Sequence, residues 1–176
     1  CTEPMAVALC TARATELLGQ KPERISAQLS ANILKNAMGV GIPGTGMIGL
    51  PIAISLGALI GKSSYQLEVI KDLTPESLEE GKKYVSENHI DIKLKEGISE
   101  KLYIEITCEA GEKRATAIIS HTHTNFIYEE QNGKVLMDKQ VSAKSEEKTD
   151  NKDIELNLKM VWDFATTTPL EEIDFI

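Results

Sequence analysis

Three stretches of this chain carry residue types that could do chemistry. Cys1 stands directly before Thr2-Glu3-Pro4, a helix-opening run. A thiol at a helix start faces unpaired backbone N–H groups and the positive end of the dipole, so it ionises more readily than a free thiol. Such a thiolate can act as nucleophile or as base, with Glu3 as a neighbouring acid. The plainer reading is that Cys1 is only where the given sequence starts. The second stretch, Gly44-Thr45-Gly46-Met47-Ile48-Gly49, has glycines that let backbone N–H groups approach an anion at a helix start. The third is His121-Thr122-His123-Thr124-Asn125. Read as strand, it sets both imidazoles on one face, suited to metal or to a substrate's polar groups, or simply a polar strand face.

The other reactive side chains read as structural. Cys10 falls within helical spacing among small residues and Cys108 within a strand pattern, so both suit core packing. His89 sits near a helix end. With Cys1 they make three cysteines, an odd set without CxxC spacing, which suits a reducing cytoplasm. No third ligand accompanies the histidines and no cysteine set matches a metal or cluster site, so no metal is expected in this chain. The glycine run fits GxGxxG, and Glu68 lies 24 residues beyond Gly44, superficially a dinucleotide fingerprint. However, Gly39, Gly41 and Pro43 precede it where a buried strand is required.

The elements that must position these residues follow from periodicity and punctuation. Apolar positions 5, 9, 12 and 17, with Pro4 early and Gly19 beyond, predict a helix over about 3–18. Ile25, Ala27 and Leu29 alternate as a short strand. Between Lys35 and Lys62 lie 26 uncharged residues, but seven are glycine and two proline. The continuous apolar part, about 47–59, is too short to cross a bilayer, so a buried helix behind a glycine loop is expected. Residues 66–70 read as strand or short helix. Thr74-Pro75-Glu76 opens a helix to about 87. Strands are expected over 90–95, 102–108, 113–121 and 124–129, with Asn132-Gly133 turning a hairpin into 135–137. Seven of the thirteen residues 141–153 are charged, a linker pattern, and helices follow from about Asn157 and Pro169.

These patterns predict an α+β fold, a glycine-rich helical part packed with an antiparallel sheet layer that carries one or more helices. The segments are 1–62, 63–140, the linker 141–153 and helices over 154–176. Length 176 and 41% hydrophobic residues are ordinary for a globular chain. Net charge −8 and 5% aromatics argue against nucleic acid and leave a small molecule or another protein as partner. The missing initiator Met, and an end inside the pattern LEEIDFI, suggest the front portion of a longer two-part protein. Homo-oligomerisation stays open.

Taken together, CTEP at a helix start, KNAMGVGIPGTG, and HTHTNFIYEE ahead of an NG hairpin resemble the serine-dehydratase-like family that includes iron–sulfur L-cysteine desulfidase. The similarity runs from Cys1 to the PLEEIDFI end. The resemblance implies a lyase that works without pyridoxal phosphate, taking L-cysteine or L-serine to pyruvate and ammonia. It implies a [4Fe–4S] cluster in the complete protein, whose cysteine ligands lie in a later portion absent from this chain. It also implies a catalytic Cys1, with substrate-binding positions at Asn32, Lys35, Asn36, Gly44, Thr45, Gly46, His123, Thr124 and Asn125. This chain alone is then expected to bind no cluster and to turn nothing over. A different class of reading is a non-catalytic module that binds or senses amino acids, built from residues 66–138.

Overall fold

The computed structural model describes residues 2–87 and 89–139. Helix α1 spans Thr2–Leu18 and stops at Gly19, which adopts φ +79. Strand β1 (Arg24–Leu29) and helix α2 (Ala31–Ala37) follow, then α3 (Leu50–Leu59). A 3₁₀ segment, Ser63–Glu68, contains a kink at Gln66, and α4 covers Pro75–Ser86. The last is opened by a reciprocal cap between Thr74 and Ser77. Strands β2 (Ile90–Leu94), β3 (Tyr103–Ala110), β4 (Lys113–Ser120), β5 (Phe126–Gln131) and β6 (Lys134–Asp138) complete the described part.

The fold is α+β, as its periodicities predict. Six strands form one sheet in the order β2-β1-β3-β4-β5-β6. It is mixed rather than wholly antiparallel, because β1 pairs parallel to β2 while the other neighbours run antiparallel. A parallel pair needs a long crossover, and α2, α3 and α4 supply it. The expected segments 1–62 and 63–140 therefore share a sheet, since β1 sits between β2 and β3.

Register explains which face is dry. Ile25, Cys108 and Ala115 lie side by side, as do Ala27, Ile106 and Ala117, and Leu29, Ile104 and Ile119. All nine are buried, and helix α1 crosses them. The Cys10 thiol donates to the Ala117 carbonyl at 3.2 Å, Thr15 meets the Cys108 sulfur at 3.7 Å, and Gln131 donates to the Leu17 carbonyl. So α1 runs along β3 in the same sense, and its N-terminal turns extend past the Tyr103 end. Arg13 fixes it through a bidentate pair with the buried carboxylate of Glu129, both contacts 2.8 Å.

The uncharged stretch after Lys35 folds as two unlike halves. Its back half is α3, ten residues long and nearly all buried. Among the described residues no helix is long and apolar enough to cross a membrane. Its glycines serve contact: a Cβ on Gly57 would lie 2.5 Å from the Ala8 carbonyl oxygen, and one on Gly61 would lie 2.8 Å from the Ala12 Cβ. Helices α1 and α3 thus meet backbone to backbone over small residues.

Candidate functional site

The glycine and histidine motifs named from the sequence lie at one end of the sheet. Strands β1 and β4 finish there while β3 and β5 begin, and the α1 N-terminus points the same way. A three-residue strip, Lys101-Leu102-Tyr103, ties two of the motifs together. The Ser30 hydroxyl donates to the Lys101 carbonyl at 2.8 Å and accepts from the Tyr103 N–H at 3.2 Å. The His121 N–H and the Ser120 hydroxyl both donate to the Leu102 carbonyl. The α2 start and the His-Thr turn, some 90 residues apart in sequence, therefore hang on adjacent peptide groups.

The histidine motif is a turn, not strand. β4 ends at Ser120 because His121 takes φ +72, a left-handed backbone that no strand continues. His121 and His123 thus lose the alternation that would have set them on one face, and the two-imidazole metal reading has no geometric basis. Asn125 closes the turn: its side-chain amide donates to the Ser120 carbonyl at 3.0 Å, and its carbonyl accepts from the Ser120 N–H. His123 is half-buried and Thr124 exposed beside it.

The glycine motif is a hairpin tip whose last residue, Gly49 at φ +93, is the N-cap of α3. Gly41 bridges Ile48, and the Ile42 N–H donates to the Met47 carbonyl at 2.9 Å. Thr45 staples the tip from within, donating its hydroxyl to the Ile42 carbonyl at 2.8 Å and accepting from the Met47 N–H at 2.9 Å. Its hydroxyl is buried and used for shape. Gly44 and Gly46 hold positive φ on either side and are exposed. Asn32, Lys35 and Asn36 are exposed along α2, which leads into this hairpin. Glu3 is half-buried in the first turn of α1. Cys1 lies outside the described residues, as do the expected linker and helices beyond 140.

One cleft of about 570 Å³ joins α1 to the hairpin. Met5 and Ile70 floor it, Pro43 and Gly44 form one wall, and Leu67 and Leu73 another. Glu68 and Lys71 are its charged residues. A Cβ on Gly44 would come within 3.0 Å of Leu73, so the bend and the 67–73 wall are in contact. Sequence reading named Gly44 but missed this wall; Glu68 entered only through its spacing from the glycines. The main-sheet strand that a dinucleotide fingerprint requires before Gly44 is absent from the described residues. Ser30, at the N-cap of α2, makes no side-chain cap to that helix; its hydroxyl bonds the strip ahead of β3 instead.

A second groove, about 430 Å³, lies on the sheet face opposite the helices, where Arg24, Glu109 and Arg114 sit in register. Its acids are largely partnered: Glu105 accepts from Lys95 and from the Tyr103 hydroxyl, and Asp91 pairs with Lys93. Neither remaining cysteine is reactive. Burial raises the Cys10 thiol well above its ordinary range and pushes Cys108 up to about 12. Among the described residues no group of three or more His, Cys, Asp or Glu could hold a metal.

An α+β chain whose glycine hairpin and His-Thr turn lie at one sheet end is the class that fold and site define. No family model and no solved structure matches the chain. Over all 176 residues it is 66% identical to a UPF0597 protein of Bacteroides fragilis, covering 41% of that protein. It is 68% identical to a UPF0597 protein of Phocaeicola vulgatus, covering 40%, and 40% identical to one of Oleidesulfovibrio alaskensis, covering 41%. The chain thus spans about two fifths of the length of these curated relatives.

Proposed function

We propose that this chain is the front portion of a cytoplasmic lyase that β-eliminates L-cysteine or L-serine, and that it supplies the amino-acid-binding cleft. The observation that carries the reading is the shared cleft: Met5 of α1 lines it together with the Pro43–Gly44 bend. Convergence of α2 and the His123 turn on the Lys101–Tyr103 strip supports it. The relatives' greater length leaves room for the second portion that the family resemblance implies.

In this reading Cys1, as thiolate, removes the α-proton of the bound amino acid. The electron pair left on Cα forms a Cα–Cβ double bond while the Cβ–S bond breaks, and the sulfur leaves as H₂S after taking a proton. The enamine becomes an imine, and water hydrolyses it to pyruvate and ammonia. The balance is L-cysteine and water giving pyruvate, ammonia and H₂S. Asn32, Lys35, Asn36 and His123, which the resemblance implies bind substrate, do not line this cleft. The [4Fe–4S] cluster implied by the resemblance does not fit the described residues: their two thiols are buried and protonated, and no ligand group is assembled. In this reading its ligands belong to the remaining portion.

The complete protein, reconstituted anaerobically with iron and sulfide, is expected to form pyruvate from L-cysteine or L-serine. No pyruvate from either would end the lyase reading. Strong thermal stabilisation of this chain by either amino acid, with no turnover by the complete protein, would favour the binding module instead.

A further inference from the structure

We infer that Glu68 and Lys71 form the head-group clamp of the cleft, reading the ammonium and the carboxylate of an L-α-amino acid, an inference that rests on the amino-acid reading above. The two residues lie on one turn, closed by the Lys71 N–H donating to the Glu68 carbonyl at 2.8 Å, so both side chains leave the backbone at the same wall. The floor beneath them is apolar, with Met5 and Ile70 both buried. An apolar cleft with a few convergent polar groups is how small-molecule sites are commonly built.

Each charge is available to a ligand. The Glu68 carboxylate has no hydrogen bond or ion pair among the described residues. The nearest acid in sequence to Lys71, Asp72, is occupied by Lys62 at 2.6 Å. The Lys71 ammonium instead lies over the Tyr65 ring, 3.6 Å from its centroid. A ring face holds a cation in place while leaving its N–H groups able to donate sideways. The turn is also set by an unusual backbone: Gln66 holds φ 53, ψ −129. Strain of that kind persists only where its surroundings impose it, and it is concentrated at ligand clamps and active sites. One acid and one base above an apolar floor complement a zwitterion with a short side chain, whereas a plain acid or a plain amine would leave one charge unanswered.

The test uses this 176-residue chain under reducing conditions, with three probes measured by titration calorimetry: L-cysteine, 3-mercaptopropionate (no amine) and cysteamine (no carboxylate). The wild-type chain is expected to prefer L-cysteine by about tenfold or more over each analogue, the scale of one charge-assisted hydrogen bond. Glu68→Gln should weaken L-cysteine by about tenfold and leave 3-mercaptopropionate unchanged; Lys71→Met should weaken L-cysteine similarly and leave cysteamine unchanged. Both residues are exposed, so the unliganded melting temperature should not move for Glu68→Gln and should fall only slightly for Lys71→Met, which loses the Tyr65 ring contact; a cooperative unfolding transition in both variants controls for misfolding. The clamp is overturned if the wild-type chain shows no preference or no binding, if either variant binds L-cysteine normally, or if a variant weakens both analogues equally. Binding with the expected pattern, but without pyruvate from the complete protein, would sink the lyase reading and leave the clamp standing. Turnover by the complete protein that is insensitive to both substitutions would do the reverse.

Discussion

The two halves of the uncharged stretch 36–61 use the same residue type for opposite ends. In the back half, Gly57 removes a side chain so that α3 can lie on α1, where the Ala8 carbonyl occupies the space a Cβ would need. In the front half, Gly44 and Gly46 are exposed, and their positive φ values turn the chain around Thr45. One half is core and tolerates no added volume. The other is a shaped rim, where backbone conformation matters more than space. Glycine content alone says nothing about which of these a segment will be; the neighbours across the fold decide.

The sharpest way to break this contrast is Gly57→Val. Overpacking against backbone cannot be relieved by a rotamer change, so a loss of about 3 kcal/mol is expected by urea denaturation. A stable variant would mean α1 and α3 are not in close contact. Gly44→Ala should cost about 2 kcal/mol, combining left-handed strain with the 3.0 Å approach to Leu73, and should weaken L-cysteine binding by deforming the cleft wall. Thr45→Val should cost about 1.5 kcal/mol, because the Met47 N–H loses its acceptor, while the Ile42 carbonyl loses the hydroxyl but keeps the Thr45 N–H. Conformation separates from volume in one pair: a Cβ at Gly46 or Gly41 meets nothing within 4 Å, but only Gly46 of the two has positive φ. Gly46→Ala should therefore cost about 1 kcal/mol, and Gly41→Ala no more than about 0.5 kcal/mol. Equal effects would show that φ is not what holds the tip.

The smallest effect lies far from both halves, at His89. Its ring stacks on Tyr84 and bonds to Glu87 at 2.9 Å and to the Glu23 carbonyl. The Glu87 carboxylate, then the Glu23 carbonyl, raises the His89 value above 6.5, and His89 in turn lowers Glu87 below 4.5. A raised histidine contributes stability that is complete below its unfolded value and lost as pH rises through the folded one. A lowered carboxylate contributes above its unfolded value and loses that contribution as pH falls. The melting-temperature difference between wild type and His89→Gln should thus be largest between about pH 4.5 and 6.5 and shrink on either side. A difference independent of pH would assign His89 a packing role only.

Much of the secondary structure was legible because its signals are local. The Thr74-Pro75 start of α4, the Gly19 stop of α1 and the Asn132-Gly133 hairpin each depend on sterics and hydrogen bonds within a few residues. The candidate site was legible only as a set of motifs. His121 to Asn125 looked like strand because alternation says nothing about the left-handed φ that ends β4. The Glu68–Lys71 wall carried no signal, since an exposed acid and base three apart resemble any solvated turn.

What the sequence alone determined is therefore most of the element inventory, with α2 and the His121–Asn125 turn as exceptions, and a buried helix behind the glycine loop within about 47–59. Only the tertiary structure decided that β1 lies between β2 and β3, that α2 and the His123 turn share the Lys101–Tyr103 strip, and that Gly44 faces Glu68 and Lys71 across a cleft. The reason is range: sterics and hydrogen-bond periodicity act within a turn or two, whereas these juxtapositions join peptide groups tens of residues apart through burial of one shared apolar face.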